Sequence, residues 1–330
     1  MSQKDNTKNK ASVGGQALIE GIMMMGPEGA AVSVRTPDGK IDTEKVPVKH
    51  LKDKFKFLGW PIIRGIINYI ESMVFGYKCL MMSAEKSGLD DIDSSEENRS
   101  KLDKWLSEHL NEKFMALLTG VASVLGMGLA FVLFFYLPTI SVKFLNNLAG
   151  GALTNFKALF EGIIRMCIFV AYIALVSLMK DIKRTFMYHG AEHKTIFCYE
   201  NGLDLTVENV RKQSRFHPRC GTSFIFVIII ISVILSSAIS VAFKGIHENT
   251  VLWMAVKLLI LPLIAGISYE FIKYAGKHDN ALVKILAAPG LWMQRLTTKE
   301  PDDSMIEVAL EAFKAVIPDE TDEDVKEDNL

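Results

Sequence analysis

The sequence predicts a mainly α-helical, polytopic membrane protein with about four transmembrane helices, a small N-terminal β region and amphipathic helices. Of its 330 residues, 49% are hydrophobic, and they are concentrated in runs too long for ordinary core helices. The stretches 115–137 and 222–243 contain 23 and 22 residues without a single charge. Each stretch is long enough to cross about 30 Å of hydrocarbon at about 1.5 Å per residue, so both are predicted spans.

Two further spans are predicted at 159–179 and 251–272, although each carries charged residues. Glu161 and Arg165 lie near the start of the first of these, where their side chains are expected to reach the lipid headgroups. Lys257 lies inside the second. Together the four stretches predict a four-helix transmembrane domain over 114–280.

A fifth apolar stretch, 60–82, is interrupted by several polar side chains. These groups are costly against lipid, so we predict an interfacial or re-entrant helix within 51–83. The alternative is a fifth span whose charges pair internally, with Arg64 against Glu71. The polar residues concerned are Arg64, Asn68, Glu71 and Lys78.

The distribution of Lys and Arg predicts the orientation in the membrane. The segment 180–220 carries eight of these residues, whereas the short loops 138–158 and 244–250 carry three together. Positive residues accumulate on the cytoplasmic side, so 180–220 and both chain termini are predicted to be cytoplasmic, in a multi-pass cell-membrane protein. The first residues are rich in Lys and Asn and contain no apolar core of a cleavable signal peptide.

The rest of the chain divides by composition. Alternation over 31–36, a Pro-Asp-Gly turn and a return over 40–46 predict a β-hairpin. In the C-terminal part, 281–296 is amphipathic with a break at Pro289-Gly290, and a Ser304–Glu307 capping box predicts a helix to Ile317. The predicted segments are a disordered lead at 1–12, a cytoplasmic β region at 13–50, an acidic linker and helix at 84–113, cytoplasmic amphipathic helices at 281–318 and a disordered acidic tail at 319–330.

The charge pattern excludes nucleic acid as a partner. The formal net charge is -1, and the segment 85–112 holds nine acidic residues against four basic ones. A nucleic-acid footprint needs a basic patch with interleaved aromatic residues, which the sequence lacks. The expected partners are therefore the lipid bilayer and a membrane protein or lipid that serves as substrate.

The chemical centre of the sequence is His189-Gly-Ala-Glu192-His193. This is the reversed zincin arrangement. On a helix, positions i, i+3 and i+4 share one side, so His189 and His193 can both ligate a metal while Glu192 points at its bound water. The helix of the second span is predicted to continue to His193, which places the motif near the membrane surface.

Two ligands do not hold zinc, so further ligands are expected. His217 and Cys220 stand immediately before the third span and therefore at the same membrane face. The predicted metal residues are His189, His193, His217 and Cys220, and a Cys ligand favours zinc over iron or manganese. Two alternatives remain open: Glu270 as the carboxylate of a His-His-Glu site, and a closed structural site of His193, Cys198, His217 and Cys220.

Four sequence blocks together resemble a known family. Residues 13–315 resemble the YqhQ-like bacterial multi-pass membrane proteins of uncharacterised function. The resemblance implies a metal-dependent membrane enzyme with metal residues at His189 and His193 and a second His/Cys block at His217 and Cys220. Met25 stands where the family is expected to have Arg, which removes a candidate anion contact. The four blocks are Gly14-Gly-Gln-Ala-x-x-Glu20-Gly, His189-Gly-Ala-Glu-His-Lys194, His217-Pro-Arg-Cys-Gly-Thr-Ser-Phe224 and Gln294-Arg-Leu-Thr-Thr-Lys-Glu-Pro301.

These observations predict an integral membrane zinc-dependent hydrolase with Glu192 as the catalytic residue. Peptide bonds are the expected target by analogy with the motif, and a headgroup ester is the alternative target. The alternative function is a non-enzymatic membrane scaffold with a structural zinc site. A transporter is disfavoured because few charges lie at mid-membrane and no broken paired helices are evident.

Overall fold

A computed structural model describes residues 13–48, 51, 55–88, 112–218, 220–243, 245–246, 248–275, 278 and 280–318. The predicted lead at 1–12, most of the acidic linker and the tail at 319–330 lie outside these residues. Within them the fold is mainly helical with one small antiparallel sheet near the N-terminus, as the sequence predicts.

The sheet is a meander of four strands in the order β1-β2-β3-β4. The predicted hairpin over 31–36 and 40–46 is confirmed as the pair β3–β4, with Gly39 at a φ of 81° in its turn. Because neighbours in sequence are neighbours in the sheet, β1 and β4 are its two edges. The strands are β1 Gly14–Leu18, β2 Gly21–Gly26, β3 Gly29–Arg35 and β4 Ile41–Val46.

The chain contains ten α-helices in the described residues. They are α1 Ile63–Lys86, α2 Glu112–Phe131, α3 Leu137–Leu148, α4 Lys157–Val176, α5 Lys180–Glu200, α6 Val207–Arg211, α7 Thr222–Ala242, α8 Thr250–Ala275, α9 Ala281–Thr297 and α10 Asp303–Lys314.

Strand alternation gives the sheet two buried faces. One face packs on α1 around Cys79, and the other packs on α5 and α10 around Tyr188 and Phe313. The sheet is therefore the middle of three layers. Its apolar residues are Leu18, Met23, Val32, Val34 and Val46 on the α1 side, and Ile22, Met24 and Ala31 on the other side.

Four helices of the described chain are long and apolar enough to cross a membrane, which agrees with the predicted number. They cover Gly120–Leu148, Thr154–Val176, Ile225–Ala242 and Thr250–Ala275. The first is longer than predicted because α2 continues into α3 through a π-helical turn, Val132–Tyr136. Pro138 has no N–H for the Phe134 carbonyl, and Arg165 Nε donates to that carbonyl instead, at 2.9 Å.

The charged side chains of α4 were predicted to reach the lipid headgroups, but they do not extend out of the bundle. Glu161 is 4% exposed, pairs with Lys257 of α8 and accepts from Trp253 Nε1 at 3.3 Å. Lys257 is 3% exposed and also donates to Thr139 Oγ1 at 2.8 Å. Opposite charges from two different helices pair with each other, which lowers the cost of burying them. These side chains therefore point into the bundle.

Helix α1 joins the bundle to the sheet and is not one of the four candidate spans. Its Arg64 donates twice to Glu270 of α8, at 2.6 and 2.5 Å, so the alternative pairing with Glu71 is wrong. Ser83 near its other end donates to the Ile19 carbonyl at 2.6 Å. One helix thus contacts both parts of the fold.

Three predicted helix boundaries are wrong. The second span does not continue to His193, because α4 ends at Val176 and the extended residue Met179 precedes α5. Pro289 lies inside an unbroken α9, since one missing N–H removes only one helical hydrogen bond. Helix α10 is capped by Asp302 and not by Ser304, and it ends at Lys314. Ile306, Leu310 and Phe313, which recur at helical spacing, are buried.

Candidate metal centre

Helix α5 carries the His-x-x-Glu-His motif and is fixed from two sides. On the sheet side, Arg184 pairs with Glu20 of the β1–β2 turn and the Tyr188 hydroxyl donates to the same carboxylate at 3.1 Å. On the opposite side, Lys299 N donates to the Phe186 carbonyl at 2.8 Å. The motif therefore projects from a helix that both neighbours hold in place.

Gly190, inside the motif, allows the segment after α9 to approach α5. A Cβ at Gly190 would overlap the Lys299 carbonyl oxygen, a backbone atom that cannot turn away. The segment that approaches is the same one that supplies Thr297 and Glu300 to the site. A glycine at this position is thus a requirement of the packing, not of the helix.

We expect Gly190→Ala to destabilise the protein by about 1–3 kcal/mol, because the overlap forces a backbone shift. The exposed helical Gly120, with nothing within 4 Å of its Cβ position, is the matched control. Gly120→Ala should be neutral or stabilising by up to about 1 kcal/mol through helix propensity. Thermal unfolding of both variants in the same detergent tests this, and equal shifts would contradict it.

Three predicted metal residues converge. The possible ligand atoms of His189, His193 and Cys220 all lie within 4.8 Å of one another. His189 Nε2 is 3.3 Å from Cys220 Sγ, and the two imidazole rings are 4.3 Å apart at their centroids. Helix α5 supplies both histidines, and the segment that leads into α7 supplies the thiol.

Hydrogen bonds set the tautomers of both histidines. His189 Nδ1 lies 2.8 Å from the Thr297 carbonyl, and His193 Nδ1 lies 2.6 Å from the Arg215 carbonyl. A carbonyl only accepts, so each Nδ1 carries the proton and each Nε2 keeps its lone pair. Burial also lowers the pKa of His193, although Cys220 opposes this. Metal-ligating histidines characteristically have such a partner on the second nitrogen.

Glu192 is the unusual group of the site. It is 5% exposed, and its buried Oε2 makes no hydrogen bond to any of the described residues. Burial raises the pKa of its carboxyl, while His189 and His217 act in the opposite direction. Its Cδ would lie 3.0 Å from a Cβ on Gly15. The glycine of β1 therefore leaves space for this side chain.

His217 lies beside the cluster without joining it. Its Nε2 is 3.3 Å from Glu200 Oε2, and its backbone N–H and carbonyl are both bonded to the Gln294 side chain, at 2.8 and 2.7 Å. Its ring is 5.7 Å from that of His193. Among the described residues, the ligand set that converges therefore differs from the predicted one by the loss of His217.

The two alternative ligand sets do not assemble. Cys198 Sγ is directed at backbone carbonyls, with the Asp204 oxygen at 3.4 Å, so the closed set with Cys198 is not brought together. Glu270 is engaged by Arg64 of α1 and is not the carboxylate of a His-His-Glu site. The competing partners, a backbone carbonyl nearby in sequence for Cys198 and a guanidinium of a distant helix for Glu270, are not revealed by residue type and spacing.

Several groups around the site were not predicted to take part. Lys194 is 3% exposed, pairs with Glu300 and donates to the Arg211 carbonyl at 2.8 Å. Arg215 Nη1 lies 3.2 Å from the same Glu300 carboxylate. For these basic residues the sequence favoured a topology signal over an anion contact. A lysine directly after the motif, on the buried side of a helix, is the signal that was available.

The sequence was compared with known proteins. Residues 60–319 match a family described as "Protein of unknown function (DUF1385)". The chain is 36% identical over 310 residues to "Uncharacterized protein YqhQ" of Bacillus subtilis (strain 168), which covers 92% of each chain. No solved structure matches. Neither description gives a metal or a reaction.

Proposed function

The chain belongs to the DUF1385 family, the family that the sequence blocks resemble, and from its site we propose that it is a metal-dependent hydrolase of the membrane. The observation that carries the proposal is the convergence of His189, His193 and Cys220 on the side of α5 that also carries the buried Glu192, whose Oε2 has no partner among the described residues.

Zinc is the metal that suits these ligands. Two imidazole nitrogens and one thiolate form a borderline-soft set, which zinc prefers and which magnesium or calcium does not. His189, His193 and Cys220 would hold the ion, and zinc held by three protein ligands would supply an activated water, because it lowers the pKa of that water to about 7. The Thr297 and Arg215 carbonyls would orient the two histidines.

Glu192 is the proposed general base. It lies on the same side of α5 as the two histidines, next to them on the flank that faces the sheet, and a carboxylate without other partners among the described residues is available to take a proton from water. In hydrolysis of an amide, the water oxygen bonds to the carbonyl carbon and the carbon–nitrogen bond breaks. Glu192 passes the proton to the leaving nitrogen, so the carboxylate is regenerated.

The membrane supplies the setting of the proposed reaction. The excess of Lys and Arg in 180–220 favours a cytoplasmic location for the site and for both termini. Cys220 lies two residues before α7, one of the candidate spans, so the metal would lie close to the membrane surface. A membrane protein or a lipid is the substrate that such a site would reach.

The proposal is tested by metal content. Protein purified in detergent and analysed by elemental mass spectrometry is expected to carry about one zinc ion per chain, as for a three-ligand site. His193→Ala and Cys220→Ser should lose it. Cys198→Ser, which removes a nearby buried thiol outside the cluster, is the matched control and should keep it. Wild-type protein without stoichiometric metal, even after zinc is supplied, would overturn the proposal.

A further inference from the structure

Strand β1 has an open edge, and the register shows which backbone groups occupy it. Arg35 N donates to the Glu20 carbonyl at 2.8 Å, which makes residue 20 bond toward β3. Along β2 the hydrogen-bonding direction alternates from one residue to the next. Residues 21, 23 and 25 of β2 therefore bond toward β1. Their partners are Leu18, Gln16 and Gly14. The N–H and carbonyl groups of Gly15 and Ala17 therefore point away from the sheet.

The two ends of this edge differ. At Ile19 the outward carbonyl is occupied, because Ser83 of α1 donates to it at 2.6 Å. For Gly15 and Ala17, no hydrogen bond to another described residue satisfies the outward groups. Gly14 and Gly15 are exposed, and nothing lies within 4 Å of the Cβ position of Gly14. The N-terminal half of β1 thus presents bare backbone to its surroundings.

This edge lies beside the candidate metal centre. Glu192 contacts Gly15 on one side, and its neighbours His189 and His193 lie further around α5, away from the sheet. Successive helical positions differ by about 100°, which places Tyr188 and Glu192 over the sheet and the two histidines next to them. The base therefore lies between strand β1 and the proposed metal ligands of α5.

We propose that the open edge of β1 binds an extended polypeptide as an added antiparallel or parallel strand and presents it to the metal centre. A strand offers N–H and carbonyl groups with the same two-residue repeat that Gly15 and Ala17 display, and it lies about 4.8 Å from its neighbour. This inference rests on the proposed hydrolase and assigns its substrate class, a peptide in extended conformation.

The test removes one outward donor without touching the sheet. Ala17→Pro deletes an N–H that points away from β2, so the β1–β2 hydrogen bonds remain, and Ala17→Ser keeps the donor as the matched control. Both changes are made in zinc-loaded Glu192→Gln protein in lipid nanodiscs, which holds peptides without cleaving them. The probe is a pool of end-blocked synthetic decapeptides, and retained peptides are identified by mass spectrometry.

We expect the Kd of individual retained peptides to rise about tenfold in Ala17→Pro and to stay unchanged in Ala17→Ser. Without either Ala17 change, the peptides should also slow hydrogen exchange of residues 13–18. This second measurement holds even where Ala17→Pro fails to fold. Equal Kd values in the two variants, or unchanged exchange with bound peptide, would overturn the inference.

The failure of this inference is separable from that of the proposed function. Zinc at the site and Glu192-dependent cleavage of phospholipid esters in vesicles, with no peptide retained, would leave the hydrolase standing and overturn the peptide site. Peptides that bind β1 in a protein without stoichiometric zinc would support the edge as a peptide site and remove the hydrolase.

Discussion

Glu192→Gln is expected to keep about one zinc ion per chain and to slow hydrolysis by about 10²–10⁴-fold, the usual contribution of a general base. The amide keeps the shape of the side chain but cannot take a proton from water. The three proposed ligands are untouched. Zinc analysis and turnover of the decapeptide pool, measured on the same preparation, test both halves of the expectation.

The stability of Glu192→Gln separates a base from a structural group. Burying an unpaired carboxylate is costly, so its neutral replacement should leave the thermal midpoint of the metal-free protein unchanged or raise it. If Glu192 were a structural partner in the site, the midpoint would fall. Glu200→Gln is the control, because it changes a carboxylate that contacts His217 outside the cluster.

A third outcome would favour the scaffold. Zinc retained in Glu192→Gln, together with unchanged cellular function and unchanged turnover, would mean that the ion only ties α5 to the start of α7. His193→Ala should then lower the thermal midpoint strongly, because the tie is lost. The two functions are thus distinguished by Glu192, while the histidine variants report only on the metal.

The parts of the site that follow from local spacing were predictable from the sequence. The i, i+3, i+4 spacing puts His189, Glu192 and His193 on one side of a helix whatever the rest of the chain does. Cys220 was predictable because it directly precedes an apolar run that fixes its depth in the membrane. The position of His217 outside the cluster was not predictable. It depends on tertiary contacts of His217 with Gln294 and Glu200.

The fold, like the site, was predictable where the signal is local and not where it depends on tertiary packing. Long uncharged runs identify spans because lipid leaves few alternatives, and strict alternation identifies the β3–β4 hairpin. The break between α4 and α5 was missed because Ser177, Leu178 and Met179 contain neither Gly nor Pro. Helix α5 packs on the sheet and on α10, and those contacts lie far away in sequence.

The buried charges of the helical bundle lead to the second large expected effect. Glu161→Gln should destabilise the protein by about 3–5 kcal/mol, because it leaves the buried Lys257 without its counter-charge. Lys257→Met should have a cost of the same order, since Glu161 then loses its ammonium partner. Unfolding in one detergent, by heat and by denaturant, measures both variants. Lys212→Met, which removes an exposed pair with Glu208, is the control and should change little.

The double variant decides whether the pair itself matters. Glu161→Gln with Lys257→Met removes both charges, so neither remains buried and unpaired, and the loss should be smaller than the sum of the two single losses. Additive losses would show that the two side chains contribute independently and would contradict the pairing. Arg165 stays in both cases and keeps its bonds to the Phe134 carbonyl and Ser232 Oγ. A recovery in the double variant would therefore be assigned to the Glu161–Lys257 pair and not to a rearrangement of the π-helical turn.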